Sequence, residues 1–97
     1  MSNKYTLSKR ADKQLQAIYK HSAKNFGSQQ ATNYLTGLEE TFQHLGNHPA
    51  LGRQCDSIRK GYRRHEYQRH IIFYRQRPYD IFIAAIVHEK MDTETAL

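Results

Sequence analysis

Seven of the fifteen lysine and arginine residues in this 97-residue chain fall between Arg59 and Arg77, and Glu66 is the only acid in that span. Tyr62, Tyr67 and Tyr74 interleave with Arg59, Lys60, Arg63, Arg64, Arg69, Arg75 and Arg77. Guanidinium groups beside aromatic rings can hold phosphates and stack on bases, and arginine with tyrosine is also the composition of protein-binding hot spots. The same charges on an edge strand would only keep that edge solvated and unpaired. His88 follows a long apolar run, where a side chain emerges from the end of a strand. Beside arginines it could serve as a general acid or base in RNA cleavage, or it could simply pack and hydrogen-bond locally.

The remaining chemistry-bearing residues form no recognisable site. His65 and His70 flank a turn and read as surface histidines. His21, His44 and His48 lack the spacing of a metal set, so neither a metal nor any other cofactor is expected. Cys55 is the single cysteine, so no intramolecular disulfide can form, which suits a reducing compartment. Arg53 is the only neighbour in sequence that could activate its thiol. Glu39 and Glu40 lie within a helical pattern and read as solvated. No Gly-rich phosphate loop, nucleophile elbow or paired carboxylate is present.

The elements that must position these residues are legible from periodicity. Tyr62–Tyr67, Arg69–Arg75 and Asp80–Val87 are rich in aromatic and β-branched residues and separated by short breaks, which predicts a three-stranded meander. The third run is apolar on both faces and should lie centrally; the first, basic and aromatic, should lie nearer an edge. Pro78 fits only the turn Arg77–Asp80. Lys4–Leu7 predicts a short first strand. Ser8 is a helix N-cap, with Asp12 in the first turn. Ala11, Leu15, Ile18, Tyr19, Ser22 and Phe26 make one apolar helical stripe, opposite Lys9, Lys13, Gln16, Lys20 and Lys24. Gly27 stops this helix and Ser28 is expected to cap a second, whose stripe is Ala31, Tyr34, Leu35, Leu38, Phe42 and Leu45. So short a link makes the helices an αα-hairpin, and Gly37 is expected to let them approach closely. They are too long for a DNA-binding helix-turn-helix. Residues 49–61 read as a connector, and Lys90–Leu97 as a tail with one helical turn capped by Asp92.

These elements predict a single α+β domain over residues 1–97: a strand, an αα-hairpin and a three-stranded antiparallel meander, with the helices packed on one sheet face. A hydrophobic content of 38% and a mean hydropathy of −0.87 imply a thin core. A chain this small buries only roughly 60–65% of its unfolded surface, so part of the helical stripes is expected to await a partner. The net charge of +6 and pI near 9.6 point to an acidic partner or target. The N-terminal residues carry no apolar signal segment, and no run is long and apolar enough to span a membrane. A cytoplasmic protein without membrane contact is expected.

The order and spacing of several short motifs resemble the RelE/ParE toxin superfamily of bacterial toxin–antitoxin modules, and most closely its ParE branch. They are Tyr5-Thr6-Leu7-Ser8 with Leu15-Gln16-Ala17-Ile18, then Phe26-Gly27-Ser28-Gln29-Gln30-Ala31 and Tyr34-Leu35. Gly52-Arg53, Ile58-Arg59-Lys60-Gly61-Tyr62-Arg63, His70-Ile71-Ile72-Phe73-Tyr74-Arg75 and Ile86-Val87-His88-Glu89-Lys90-Met91-Asp92 follow in register, so the resemblance spans nearly the whole chain. It implies a type II toxin neutralised by a ParD-like antitoxin in a toxin–antitoxin hetero-oligomer. The ParE branch implies DNA gyrase as the target and no catalysis by the toxin. The surface meeting the target would then draw on Arg59, Tyr62, Arg63, Arg64, Arg75 and His88. An antitoxin would meet Leu15, Tyr19, Tyr34, Leu38 and Arg63. The RelE branch implies instead a ribosome-dependent mRNA endonuclease, for which Arg63, Arg64, Arg75 and His88 are the catalytic candidates. Glu89 stands where some mRNA-cleaving relatives place a tyrosine, which favours the gyrase branch.

Overall fold

The computed structural model describes residues 4–97. In chain order these form β1 (Tyr5–Leu7), α1 (Lys9–Phe26), α2 (Ser28–Asn47), β2 (Arg53–Gln54), β3 (Tyr62–Tyr67), β4 (His70–Gln76), β5 (Ile81–His88) and a 3-10 turn (Thr93–Thr95). The sheet order is β1-β5-β4-β3-β2, with β1 parallel to β5 and the other pairs antiparallel. The expected strand, helical hairpin and meander are all present. β5 is interior, as its two apolar faces require, but it lies one place from the edge, and β4 is the middle strand. β3 is likewise one place in, because the connector supplies β2 as the edge. Two residues carry no periodicity, so β2 had no signal in the sequence.

Local chemistry sets the helix ends. The Ser8 hydroxyl accepts from Ala11 N–H at 2.9 Å and donates to the Ala84 carbonyl at 2.8 Å, so one side chain caps α1 and ties it to β5. Gly27 ends α1 at φ +91°, a conformation that side-chain-bearing residues avoid, and its N–H reaches Ala23 O at 3.0 Å. Gly27 is also the N-cap of α2; Ser28 is the first helical residue and caps nothing. The expected role of Gly37 also changes. A Cβ there would overlap the Tyr67 hydroxyl, so its small size makes room for a β3 side chain rather than for α1. Asp92 caps the terminal turn by accepting from Glu94 N–H at 2.9 Å.

Both sheet faces are covered. On the helical face Ala11, Leu38, Phe42 and Leu45 pack on Ile72, Tyr74, Ile81, Ile83 and Ile86. On the other face Ile71, Phe73, Ala85 and Val87 are covered by Cys55 and Ile58 of the connector and by Ala96 and Leu97 of the tail. A bulge at Ala84 keeps this alternation in phase, since Phe73 opposes Ala85 while Tyr74 opposes Ile83. Burial raises the Cys55 thiol above its ordinary pKa, which removes it from the reactive candidates.

Two polar devices lock the connections. Tyr74 is fully buried, and its hydroxyl donates to Pro49 O at 2.8 Å and accepts from Gly52 N–H at 2.9 Å, fastening the connector over the end of α2. At the β4–β5 turn Arg77 donates twice to Asp80, at 2.7 and 2.6 Å, and Thr6 of β1 donates to the same carboxylate at 2.7 Å.

Tyr74→Phe should lower stability by about 1–3 kcal/mol, because it strips partners from buried backbone groups while keeping the ring. A urea midpoint equal to that of the wild type would show that the connector does not depend on this hydroxyl. The hydrogen bonds from Arg77, with its charge, hold the Asp80 carboxyl below its ordinary value. The stabilisation is therefore complete above the unfolded pKa of about 3.9 and is lost as pH falls through the lower folded value. Asp80→Asn should destabilise the protein near neutral pH, with the gap to wild type closing as pH falls through the lowered folded value; a gap that persists in acid would assign the effect to something other than the carboxylate.

Candidate functional site

Strand alternation on β3 divides the basic residues between two faces. Tyr62, Arg64 and Glu66 project to the helix-free face, and Arg63, His65 and Tyr67 to the helical face. On the helix-free face four arginines lie over rings. Arg59 sits 5.5 Å from the Tyr62 centroid, Arg64 5.8 Å from Phe73, and Arg75 and Arg77 sit 5.0 and 5.3 Å from Phe82. Tyr62, Arg75, Phe82 and Thr6 occupy one row across four strands. Among the described residues Arg53 and Arg64 pair with Glu66, and Arg77 with Asp80, leaving Arg59 and Arg75 outside any salt bridge. Burial opposes ionisation of Glu66, but Arg53 and Arg64 outweigh it and hold the carboxyl below its ordinary value. The result is a stripe of cations on aromatic supports, suited to binding anionic or aromatic groups.

The other candidates lie elsewhere. Arg63 donates to the Gly52 carbonyl at 2.7 Å on the helical side and helps hold the connector there. His88 lines a cavity of about 760 Å³ between α1, the start of α2 and the ends of β4 and β5. The cavity has apolar walls, including Ile18, Phe26, Ile86 and Met91, and a polar side at Tyr34, His70 and His88. Phe26 and Met91 are largely exposed at its rim, 61% and 53% respectively. The Tyr34 hydroxyl lies 2.6 Å from His70 Nδ1, and the rings of His70 and His88 meet edge to face at 5.5 Å. His88 Nδ1 accepts from Lys90 N–H at 3.2 Å. Burial, then the neighbouring His88, pushes the His70 pKa down.

The four residues named for a catalytic role therefore do not converge. Arg64 and Arg75 share the helix-free face, while Arg63 and His88 sit on the helical side at separate places. Of the residues named for target contact, Arg59, Tyr62, Arg64 and Arg75 share one surface. Of those named for an antitoxin, Leu15, Tyr19 and Tyr34 are half-buried on the hairpin. Leu38 is fully buried against the sheet and has no surface to offer a partner. The Tyr34–His70 pair is the feature that sequence reading missed. Tyr34 belongs to the helical stripe as a core residue and His70 to the β-hairpin as a surface one, and only the tertiary packing joins them. Among the described residues no group of three or more His, Cys, Asp or Glu is arranged to hold a metal ion. Nor, among them, is any helix long and apolar enough to cross a membrane.

Comparison with known proteins agrees with this architecture. Residues 5–93 match the family model described as ParE toxin of type II toxin-antitoxin system, parDE. Toxin ParE1 of Mycobacterium tuberculosis is 34% identical over 98 aligned positions, covering 100% of both chains. Toxin ParE1 of Caulobacter vibrioides is 32% identical over 93, covering 96% of each. A solved structure of the chromosomal ParDE TA system from P. aeruginosa superposes with a TM-score of 0.74 at 22% identity, covering 89% of this chain and 95% of that one, a likeness of fold. With one family model matched over nearly its whole length and full-length relatives above 30% identity, the chain belongs to the ParE toxins of type II toxin–antitoxin systems.

Proposed function

We propose that this toxin acts by binding DNA gyrase in the cytoplasm, without catalysis of its own, and is neutralised by a ParD-like antitoxin in a hetero-oligomeric complex. The observation that carries the reading is the separation of Arg63 and His88 from Arg64 and Arg75. A ribonuclease centre needs its acid, base and phosphate-holding groups within hydrogen-bond reach of one scissile bond. A gyrase inhibitor needs a recognition surface only. Arg59, Tyr62, Arg64 and Arg75 supply one, since arginine and tyrosine dominate binding hot spots. The antitoxin meets the opposite side, along the hairpin at Leu15, Tyr19 and Tyr34 and at the exposed Phe26 and Met91. The likeness of fold to a chain of the P. aeruginosa ParDE toxin–antitoxin system supports such a partner.

Purified toxin should inhibit gyrase supercoiling, or trap gyrase-cleaved DNA, at concentrations that leave cell-free translation running. Arg64→Ala and Arg75→Ala should each weaken inhibition by about tenfold, the scale of losing one contact worth more than 1 kcal/mol. Added salt should weaken it further, because exposed charges are screened within roughly 8–10 Å. Codon-positioned mRNA cuts on ribosomes, with supercoiling untouched, would overturn the gyrase assignment in favour of an mRNA endonuclease.

A further inference from the structure

The two histidines of the cavity are hydrogen-bonded so that both present donors. His88 Nδ1 accepts from Lys90 N–H, so the proton of the neutral ring is on Nε2. Tyr34 keeps its phenolic proton, since burial raises its pKa, and lies 2.6 Å from His70 Nδ1. That nitrogen is the nearer of the two acceptors the hydroxyl can reach, the Tyr67 carbonyl lying at 3.4 Å, so it takes the hydroxyl proton and His70 carries its own on Nε2. Two ring N–H donors on adjacent cavity-lining residues call for an acceptor with two oxygens. The walls around them are apolar, at Ile18, Phe26, Ile86 and Met91. A pocket of about 760 Å³ lies within the usual range of roughly 300–1,000 Å³ for binding sites.

We propose that this cavity is a carboxylate site: an Asp or Glu side chain, carried on an otherwise apolar antitoxin segment, binds the Nε2–H groups of His70 and His88, and His70 takes up a proton as it does so. The carrier rests on the antitoxin reading above; the site rests on the histidine geometry. His70 is the ring that can accept a proton without losing its partner. The Tyr34 hydroxyl lies 3.4 Å from the Tyr67 carbonyl and can turn to donate there while accepting from His70 Nδ1–H. Protonation of His88 on Nδ1 would instead break its bond from Lys90. The other ionisable groups around the site are His21 on α1, Tyr34 on α2, Tyr67 on β3, Arg69 in the β3–β4 turn and Glu89 after β5. Burial and His88 keep His70 neutral in the free toxin, outweighing Glu89. A bound carboxylate raises its pKa, so binding strengthens as pH falls through the bound value and levels off below the free one.

The test is calorimetric titration of the toxin with the antitoxin encoded beside it, in buffers of different ionisation enthalpy, across mildly acidic to mildly basic pH. Net uptake approaching one proton is expected, with affinity rising by up to about tenfold per pH unit on acidification. His70→Phe should abolish the uptake, and His21→Gln should leave it. In parallel, histidine-ring NMR of the free toxin with phenylbutyrate should shift both His70 and His88, while the neutral phenylbutanol should not. Antitoxin binding without proton uptake, and unchanged by His70→Phe, would overturn the inference and leave the antitoxin reading intact. Failure of that antitoxin to bind, with phenylbutyrate still shifting both rings, would overturn the antitoxin reading and keep the carboxylate site. Failure of both titrations would overturn both.

Discussion

The pairing of β4 with β5 is the constraint on which the rest of the molecule depends. Ile71 to Tyr74 on one strand and Ile81, Ile83 and Ala85 to Val87 on the other are buried on both faces of the sheet. A bare apolar face cannot be left to water in so small a chain, so each face needs a cover. The amphipathic hairpin supplies one. The other comes from pieces too short to have a core of their own: Cys55 and Ile58 of the connector, with Ala96 and Leu97 of the tail. The terminal residues are therefore structural, and the buried Tyr74 hydroxyl matters because it fixes the connector that does half of this covering.

Covering both faces leaves few places for polar chemistry, and strand alternation decides which residues reach them. Arg63 and Arg64 are adjacent in sequence and opposite in space. One bonds the Gly52 carbonyl of the connector on the helical side; the other lies on Phe73 among the helix-free arginines. A cluster of cations in sequence is thus two groups with different work. The helix-free group is supported on rings that also belong to the sheet, which desolvates one face of each stacked guanidinium; Arg64 and Arg77 turn N–H groups to Glu66 and Asp80, and among the described residues Arg59 and Arg75 lie outside any salt bridge.

The parts legible in the sequence are those governed by repetition. The 3.6-residue period of both helices, the apolar runs of the meander and the Gly27 stop follow from intrinsic preference and appear where expected. Ser28 and Gly37 mislead because their neighbours in sequence suggest a helix cap and a helix–helix contact. Position 37 is set by Tyr67, thirty residues on, and no local rule reports that distance. The edge strand β2 is invisible for a related reason: two residues have no period, and β3 determines their conformation. The site is half legible. Composition marks the arginine–tyrosine stretch, but the Tyr34–His70–His88 cluster exists only once α2 is laid across the end of β4.

The edge of β5 is guarded by a short strand and by side chains. β1 pairs with β5 only over residues 81–83. Beyond that point the bulge at Ala84 turns the edge, and side chains replace the missing strand: Ser8 donates to Ala84 O and Gln14 accepts from Ile86 N–H at 2.7 Å. These two bonds satisfy part of the β5 edge that would otherwise invite pairing with another chain. They also draw the start of α1 onto the sheet, and the rest of that helix, through Ile18, His21 and Phe26, forms one wall of the cavity. A longer β1 would have paired with residues 84–88 and taken the place of Ser8 and Gln14 at the edge. The three-residue strand, the bulge and the two capping side chains therefore act together to protect the edge of a two-sided apolar strand.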